Sequence, residues 1–112
     1  MTNCRRGDVV LVRFVFSEES GAKLRPALVV SSNAYNRARQ EAIVLAITSN
    51  VTRRLFGDHV IADWKEAGLL FPSLVTGIAR TIKQAMVDRK LGALSKRDLA
   101  STEREMHRSL GL

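Results

Sequence analysis

The sequence predicts a mainly β fold with helices, of the α+β class: short strands forming a small barrel or sandwich, closed by one C-terminal helix. Three observations carry this. The apolar runs are short, rich in β-branched residues and separated by polar turn segments. Only one stretch combines a helix N-cap, helical spacing of apolar residues and a glycine stop, and it lies at the end of the chain. The 112 residues are one domain's worth, with no internal repeat, linker or low-complexity segment, so residues 1–112 are expected to form a single domain.

Each element follows from its residues. Gly7-Asp8 leads into Val9-Val-Leu-Val-Arg-Phe-Val-Phe16, a strand whose two alternating sets are both mostly apolar, so burial on both faces is expected. Ser17 to Lys23 is a polar loop with Gly21 available for a positive φ. Leu24 to Ser31 is a second strand, and Pro26, which has no N–H, belongs at its start or on an edge. Ser32 to Arg39 is polar and holds one helical turn. Glu41 to Thr48 is a third strand, followed by the basic connector Ser49 to Arg54. Phe56 to Ala62 reads as another short strand. Asp63 to Gly68 reads as a short helix with Asp63 as N-cap and Gly68 as its left-handed stop. Ser73 to Lys83 alternates toward β, and Met86 to Leu91 adds a last strand. Ser95-Lys-Arg-Asp98 opens the terminal helix as a capping box in its Asp form. Leu99, Met106 and Leu110 mark its apolar stripe, and Gly111 fits its C′ position.

Composition excludes several classes. The single cysteine, Cys4, forms no intrachain disulfide and no zinc site. The longest apolar run, Ala42 to Ile47, is far short of the ~20 residues of a membrane helix. Met1 to Arg6 runs straight into a strand and leaves no room for a signal peptide, so a soluble cytoplasmic protein is expected, with no membrane partner. The net charge is +7, and 13 of the 18 basic residues are arginine, whose planar fork suits phosphate oxygens. Residues 1–94 hold +6 of the excess and residues 95–112 only +1, so the positive field belongs to the body of the protein.

There is no glycine-rich phosphate loop, no His-Cys metal cluster and no Gly-x-Ser-x-Gly elbow. His59, in a strand-like stretch, reads as a surface or hydrogen-bonded core imidazole, and His107 as a helix residue. Cys4 precedes two arginines, which favour a thiolate, although a lone terminal cysteine is more often incidental. The informative segments are Lys23-Leu-Arg25-Pro26-Ala-Leu-Val-Val-Ser31 and Ala46-Ile-Thr48-Ser49-Asn50. If these strands are antiparallel neighbours, Arg25 and Thr48 converge at the rim. A guanidinium gives charge-assisted contacts to a phosphate, and a hydroxyl adds a donor to a phosphoryl oxygen. On pattern alone the plainer reading stands beside this one: a surface salt-bridge arginine and ordinary turn residues.

These segments resemble a known family. Arg6-Gly-Asp-Val-Val-Leu-Val12, the Ser20-Gly21 loop, Lys23 to Ser31, Ala46 to Ser49, Asp63-Trp-Lys-Glu-Ala-Gly-Leu69, Pro72-Ser73, Arg80-Thr-Ile82, Arg89 to Ser95 and the closing Leu110-Gly-Leu112 are similar, in order, to the MazF/PemK toxin ribonucleases of type II toxin–antitoxin systems. The resemblance implies an SH3-like barrel with a C-terminal helix, CcdB/Kid/MazF-like, that forms a homodimer. It implies an mRNA-interferase-type endoribonuclease that needs no metal or other cofactor. Such enzymes cut single-stranded RNA at short motifs by 2′-hydroxyl attack, leaving 2′,3′-cyclic phosphate and 5′-hydroxyl ends. The family's catalytic arginine falls on Arg25 and its threonine on Thr48. RNA contacts are implied for the first loop (Ser17, Glu18, Glu19, Lys23), for Ser49, Asn50, Arg53 and Arg54, and for Arg80 and Thr81. The implied partner is an antitoxin whose disordered tail covers this surface.

Where many members read Val-Pro-Phe-Pro-Phe, this chain has Val12-Arg13-Phe14-Val15-Phe16, which bears on the aim of the first loop and so on specificity. The general base stays open among Glu18, Glu19, Asp63 and Arg25 itself, because arginine is a poor proton acceptor. Two rival readings use similar architecture. One is a non-catalytic toxin that grips a protein such as DNA gyrase, to which the Arg25 and Thr48 pair is superfluous. The other is a peptide-binding SH3-like module, poorly served by one Trp and one Tyr. With so few aromatics, base recognition is expected to lean on hydrogen bonds and phosphate contacts.

Overall fold

A computed structural model describes residues 3–17 and 21–112, with the side chains of residues 15–17 left out. Six strands form one antiparallel sheet: β1 Asp8–Ser17, β2 Gly21–Val29, β3 Glu41–Thr48, β4 His59–Val60, β5 Leu74–Lys83 and β6 Val87–Ala93. Their order across the sheet is β4-β5-β3-β2-β1-β6. Helix α1 (Asn33–Arg39) joins β2 to β3, a 3₁₀ turn (Gln84–Met86) joins β5 to β6, and α2 (Lys96–Leu110) closes the chain. The α+β class and the terminal helix are as the sequence predicts, and the arrangement is consistent with a small SH3-like barrel.

The pleat sends alternate residues into two apolar clusters, one on each side of the sheet. Val10, Val12 and Phe14 pack with Ala27, Val29, Val44 and Ile82 on one side, joined by Cys4 and Val87. Val9 packs with Leu28, Leu45, Ile47 and Val75 on the other, under Ile61, Ala67 and Leu69. Leu99 and Met106 of α2 cover this second cluster. β1 is buried on the face of Val10, Val12 and Phe14, but on the other face only Val9 is buried, Leu11 is half-buried and Arg13 exposed, so burial on both faces holds only at the start of the strand.

Four elements differ from the sequence expectation. β2 runs over Gly21–Val29 rather than from Leu24 and is an inner strand, so Pro26 lies inside it rather than at its start or on an edge, its missing N–H facing the side where the β3 ladder has stopped. α1 runs for seven residues rather than one turn, because its polar side chains are satisfied inside the protein. Ser32 caps it by accepting from the Tyr35 N–H at 3.1 Å. The buried Asn36 donates to the carbonyls of Cys4 and Ser31 and accepts from the Ser31 hydroxyl. Gln84 donates to the carbonyls of Asn36 and Glu41. Among the described residues no buried polar side-chain atom lacks a partner.

The expected strand over Phe56 to Ala62 shrinks to His59–Val60. Asp58 and Leu55 close a turn on each other, the Leu55 N–H donating to the Asp58 carboxylate and the Asp58 N–H to the Leu55 carbonyl. The expected helix at Asp63 to Gly68 is a run of hydrogen-bonded turns instead. Asp63 does not cap it, since Arg97 holds that carboxylate at 2.6 and 2.8 Å. The N–H groups of Ala62 and Asp63 donate to Asp98 of α2. Gly68 does take the expected positive φ, +81°, and a side chain there would run into the Leu91 carbonyl of β6.

α2 begins at Ser95, whose hydroxyl accepts from the Asp98 N–H. Asp98 completes no reciprocal bond to the Ser95 backbone; its carboxylate ties the helix to residues 59–63. Leu110, expected on the buried stripe, is 67% exposed, so the stripe serves the core through Leu99 and Met106 alone of its three residues.

Candidate active site

The β2–β3 ladder pairs Ala27, Leu28 and Val29 with Ala46, Leu45 and Val44, and then stops. Pro26, with no N–H to offer, stands at the parting. Continuing the register by two residues sets Arg25 opposite Thr48. The two strands are thus antiparallel neighbours, and the mouth where they part is a cleft of about 620 Å³. Arg25, Thr48 and Ser49 all line it. Pro26, Ile47 and Leu11 of the sheet line it further, with Leu69, Leu70 and Phe71 of the β4–β5 connection and Arg89 and Leu91 of β6.

Thr48 is set by its own loop. Its Oγ1 accepts from the Asn50 N–H at 3.1 Å, a turn closed by a side chain. Asn50 in turn accepts from the N–H and hydroxyl of Thr52. This uses one acceptor site of the Thr48 hydroxyl and leaves its proton to donate elsewhere. The turn role and the cleft role therefore coexist in one side chain. Arg25 is exposed, donates to the Leu24 carbonyl at 3.2 Å, and has no carboxylate partner among the described residues. A free guanidinium and a fixed hydroxyl thus share one concave, partly apolar site, the chemistry that binds and polarises a phosphodiester.

A second cleft of about 530 Å³ adjoins the first at Thr48, with Asn50 and Arg53 in its lining beside Phe56 and Ile78. The structure thus gathers Arg25, Thr48, Ser49, Asn50 and Arg53 around one loop. It does not bring the remaining candidates into either lining. Lys23 is exposed on β2 opposite Phe14, and Arg54 is exposed in the connector. Arg80 stands opposite Val44, with its guanidinium 4.8 Å from the Phe14 ring, and Thr81 is exposed opposite Ile43. The side chain of Ser17, and Glu18 and Glu19 altogether, lie outside the described residues.

Two chemical expectations change, at Asp63 and Cys4, and the one for His59 holds. Asp63 lines neither cleft, and the two hydrogen bonds from Arg97, helped by Ser95, hold its carboxyl at about 2. Its carboxylate is engaged by Arg97, outside both cleft linings. Cys4 is buried, and burial, with Asp8 adding to it, pushes its thiol up rather than down. Its arginine neighbours, Arg5 and Arg6, are exposed. His59 is a hydrogen-bonded imidazole, its Nε2 2.8 Å from Asp98. Burial raises the Asp98 carboxyl, but the Ala62 and Asp63 N–H groups, His59 and Ser95 outweigh it and the net shift is downward. Among the described residues no three His, Cys, Asp or Glu side chains gather in a metal-holding group.

Two lining residues have no counterpart among the sequence candidates. Phe71 is 63% exposed beside Leu70 at 83%, an apolar edge to the cleft that Leu-Leu-Phe-Pro signalled only as extended chain. Arg89 sits in a basic pair on the last strand, and its face depends on a bulge that periodicity does not reveal.

A six-stranded antiparallel sheet with a capped C-terminal helix and a cleft with two arginines at its β2–β3 mouth defines the class, a small α+β fold. Residues 5–110 match the family model of the PemK-like, MazF-like toxins of type II toxin–antitoxin systems, and the chain belongs to that family. A comparison with curated proteins finds no sequence match. Among solved structures, the fold is similar to MazF in a MazE–MazF complex from Deinococcus radiodurans, with a TM-score of 0.84, 19% identity, and 100% of this chain and 99% of that one covered. It is similar to an endoribonuclease in complex with its cognate antitoxin from a mycobacterial species (TM-score 0.78, 18% identity, 97% and 96% covered). It is also similar to the Mycobacterium tuberculosis toxin MazF-mt6 (TM-score 0.77, 20% identity, 94% and 97% covered).

Proposed function

We propose that this toxin is an endoribonuclease that cuts single-stranded RNA by in-line attack of the ribose 2′-hydroxyl, leaving 2′,3′-cyclic phosphate and 5′-hydroxyl ends. The observation that carries the reading is the meeting of Arg25 and Thr48 in one cleft where β2 and β3 part. Arg25 neutralises the scissile phosphate and stabilises the charge that grows on its non-bridging oxygens. Thr48, turned outward by the Asn50 N–H, donates its hydroxyl proton to one of them. Catalysis is thus mainly electrostatic. Ser49, Asn50 and Arg53 hold the strand beyond the cut, and the exposed Phe71 ring gives a base a surface to stack on. The single-strand preference follows from geometry, because a stacked A-form duplex keeps the 2′-oxygen out of line with the leaving oxygen.

The same surface is where an antitoxin's disordered tail would bind, as a competitor for the cleft. The toxin acts as a homodimer in the cytoplasm, where its RNA lies; among the described residues no helix is long and apolar enough to cross a membrane. The direct test is incubation of the purified toxin with a long unstructured RNA in excess EDTA, with Arg25→Ala beside it. Discrete cuts by the wild type alone are expected. Intact RNA from the folded, antitoxin-free protein would refute the reading and favour a toxin that grips a protein target.

A further inference from the structure

Arg89 lies two strands from Arg25, with β1 between β2 and β6. The register shows why it faces the cleft. Val87 stands opposite Val12, and both belong to the first apolar cluster. Uninterrupted pairing would set Arg89 opposite Val10, on that same side. The ladder instead shifts between these pairs, Asp88 is the extra residue, and Arg89 stands opposite Leu11. A one-residue bulge exchanges the faces of everything that follows it. Leu11 also stands opposite Pro26 of β2. Pro26, Leu11 and Arg89 therefore form a row across three strands on the cleft side. With strands ~4.8 Å apart, the Cα atoms of Pro26 and Arg89 are roughly 10 Å apart.

The charges around Arg89 are otherwise paired. Asp88 holds Arg13 at 3.2 Å, and Lys90 holds Asp8 at 3.1 Å. Among the described residues Arg89 forms no ion pair, and it lines the cleft together with Arg25. Two guanidinium groups thus line one concave site, and among the described residues its lining holds no carboxylate. Like charges set this way repel unless an anion lies between them.

We propose that Arg89 binds a second phosphate of the substrate strand, one nucleotide away from the phosphate at Arg25 and Thr48. The proposal rests on the ribonuclease reading of the same cleft and adds a contact that aligns the strand across it. No bond changes at this second phosphate. The contact is therefore equally strong in ground and transition states, and its loss raises KM while leaving kcat nearly unchanged. Arg89 is a positioning residue in this sense, unlike Arg25, whose loss lowers kcat.

The test compares wild type with Arg89→Ala, Arg89→Lys and the control Arg104→Ala, an exposed arginine of α2 far along the chain from the cleft. The binding probe is a single-stranded oligodeoxythymidylate 12-mer, which has the phosphates but no 2′-hydroxyl and is not cut. Affinity is measured between 50 and 300 mM NaCl, and RNA cleavage is followed in parallel. Arg89→Ala is expected to flatten the log K against log salt slope by about 0.7, one phosphate contact to a single strand. It is expected to weaken binding and raise KM about tenfold, with kcat within about twofold of wild type. Arg89→Lys keeps most of the slope, and Arg104→Ala matches wild type. An Arg89→Ala protein with wild-type slope and KM, in a toxin that cuts RNA, overturns the proposal and leaves the ribonuclease reading standing. Wild type that leaves RNA intact yet binds the 12-mer with an Arg89-dependent slope does the reverse. No binding of the 12-mer by wild type overturns the phosphate contact.

Discussion

Thr48 shows how much of the site rests on single atoms. Its hydroxyl oxygen is claimed by the Asn50 N–H, and that claim aims its proton. Thr48→Val keeps the shape and removes both functions, so kcat for RNA cleavage should fall about 100-fold, the cost of losing one preorganised donor to a developing oxyanion. Thr48→Ser should recover most of it; a Val variant as fast as wild type would show that the hydroxyl is idle. Phe71 makes a separate point. With few aromatics, recognition is expected to lean on hydrogen bonds and phosphate contacts, but this ring is exposed at the cleft edge. Phe71→Ala should weaken single-strand binding about tenfold, the scale of one base–aromatic stack, with little change in thermal stability. Equal affinity by fluorescence titration would remove Phe71 from the interface. Arg25 and Thr48 were legible in the sequence because one enters and the other leaves an apolar run. Arg89 was not, because the Asp88 bulge that turns it toward the cleft leaves no mark on residue type.

At the scale of elements, what was readable depended on whether local pattern or tertiary contact decides. β3 spans Glu41–Thr48 as its apolar run dictates. The Asp63 to Gly68 segment, which reads as a helix, is a run of turns because its decisive partners are remote in sequence. Asp98, 36 residues on, takes the Ala62 N–H, and Arg97 takes the Asp63 side chain that would have capped it. Asp98 is 1% exposed and accepts two backbone N–H groups, the Ser95 hydroxyl and a His59 bond, so it fastens α2 to the turn that leads into the cleft wall. Asp98→Ala should cost about 3 kcal/mol in denaturant unfolding, since it strands buried donors. The sign of the pH effect follows from the lowered carboxyl. Its stabilisation is complete above the free value of 3.8 and is lost as pH falls through the lower folded value. Asp63, held at about 2, acts in the same direction. The melting temperature of the wild type should therefore drop between pH 4 and pH 2, and Asp98→Asn, starting lower, should drop less. A parallel pair of curves would mean that Asp98 is not a source of the acid sensitivity.

For the whole molecule, the two-sided sheet accounts for most of the apolar sequence but not all of it. Val44, Leu45 and Leu69 fill the monomer core, whereas Leu70, Phe71, Leu110 and Leu112 stay exposed. The fold thus divides the apolar residues of these segments between core and surface, and periodicity could not say where the division falls. Leu110 and Leu112, which lie outside the cleft linings, are groups a homodimer would cover. Elution at twice the chain mass across a hundredfold range of concentration is expected, and elution as a monomer throughout would contradict the dimer.

The central claim is that Arg25 and Thr48 act together on one phosphate. The measurement that tests it most directly is a double-mutant cycle of RNA cleavage rate, with product ends identified, for wild type, Arg25→Ala, Thr48→Val and the pair. The account predicts 2′,3′-cyclic phosphate and 5′-hydroxyl ends from the wild type. It also predicts steep losses in each single variant, and a double variant scarcely slower than the worse single, because the two groups share one transition state. Cleavage by Arg25→Ala at the wild-type rate, or losses that simply multiply in the double variant, would contradict it.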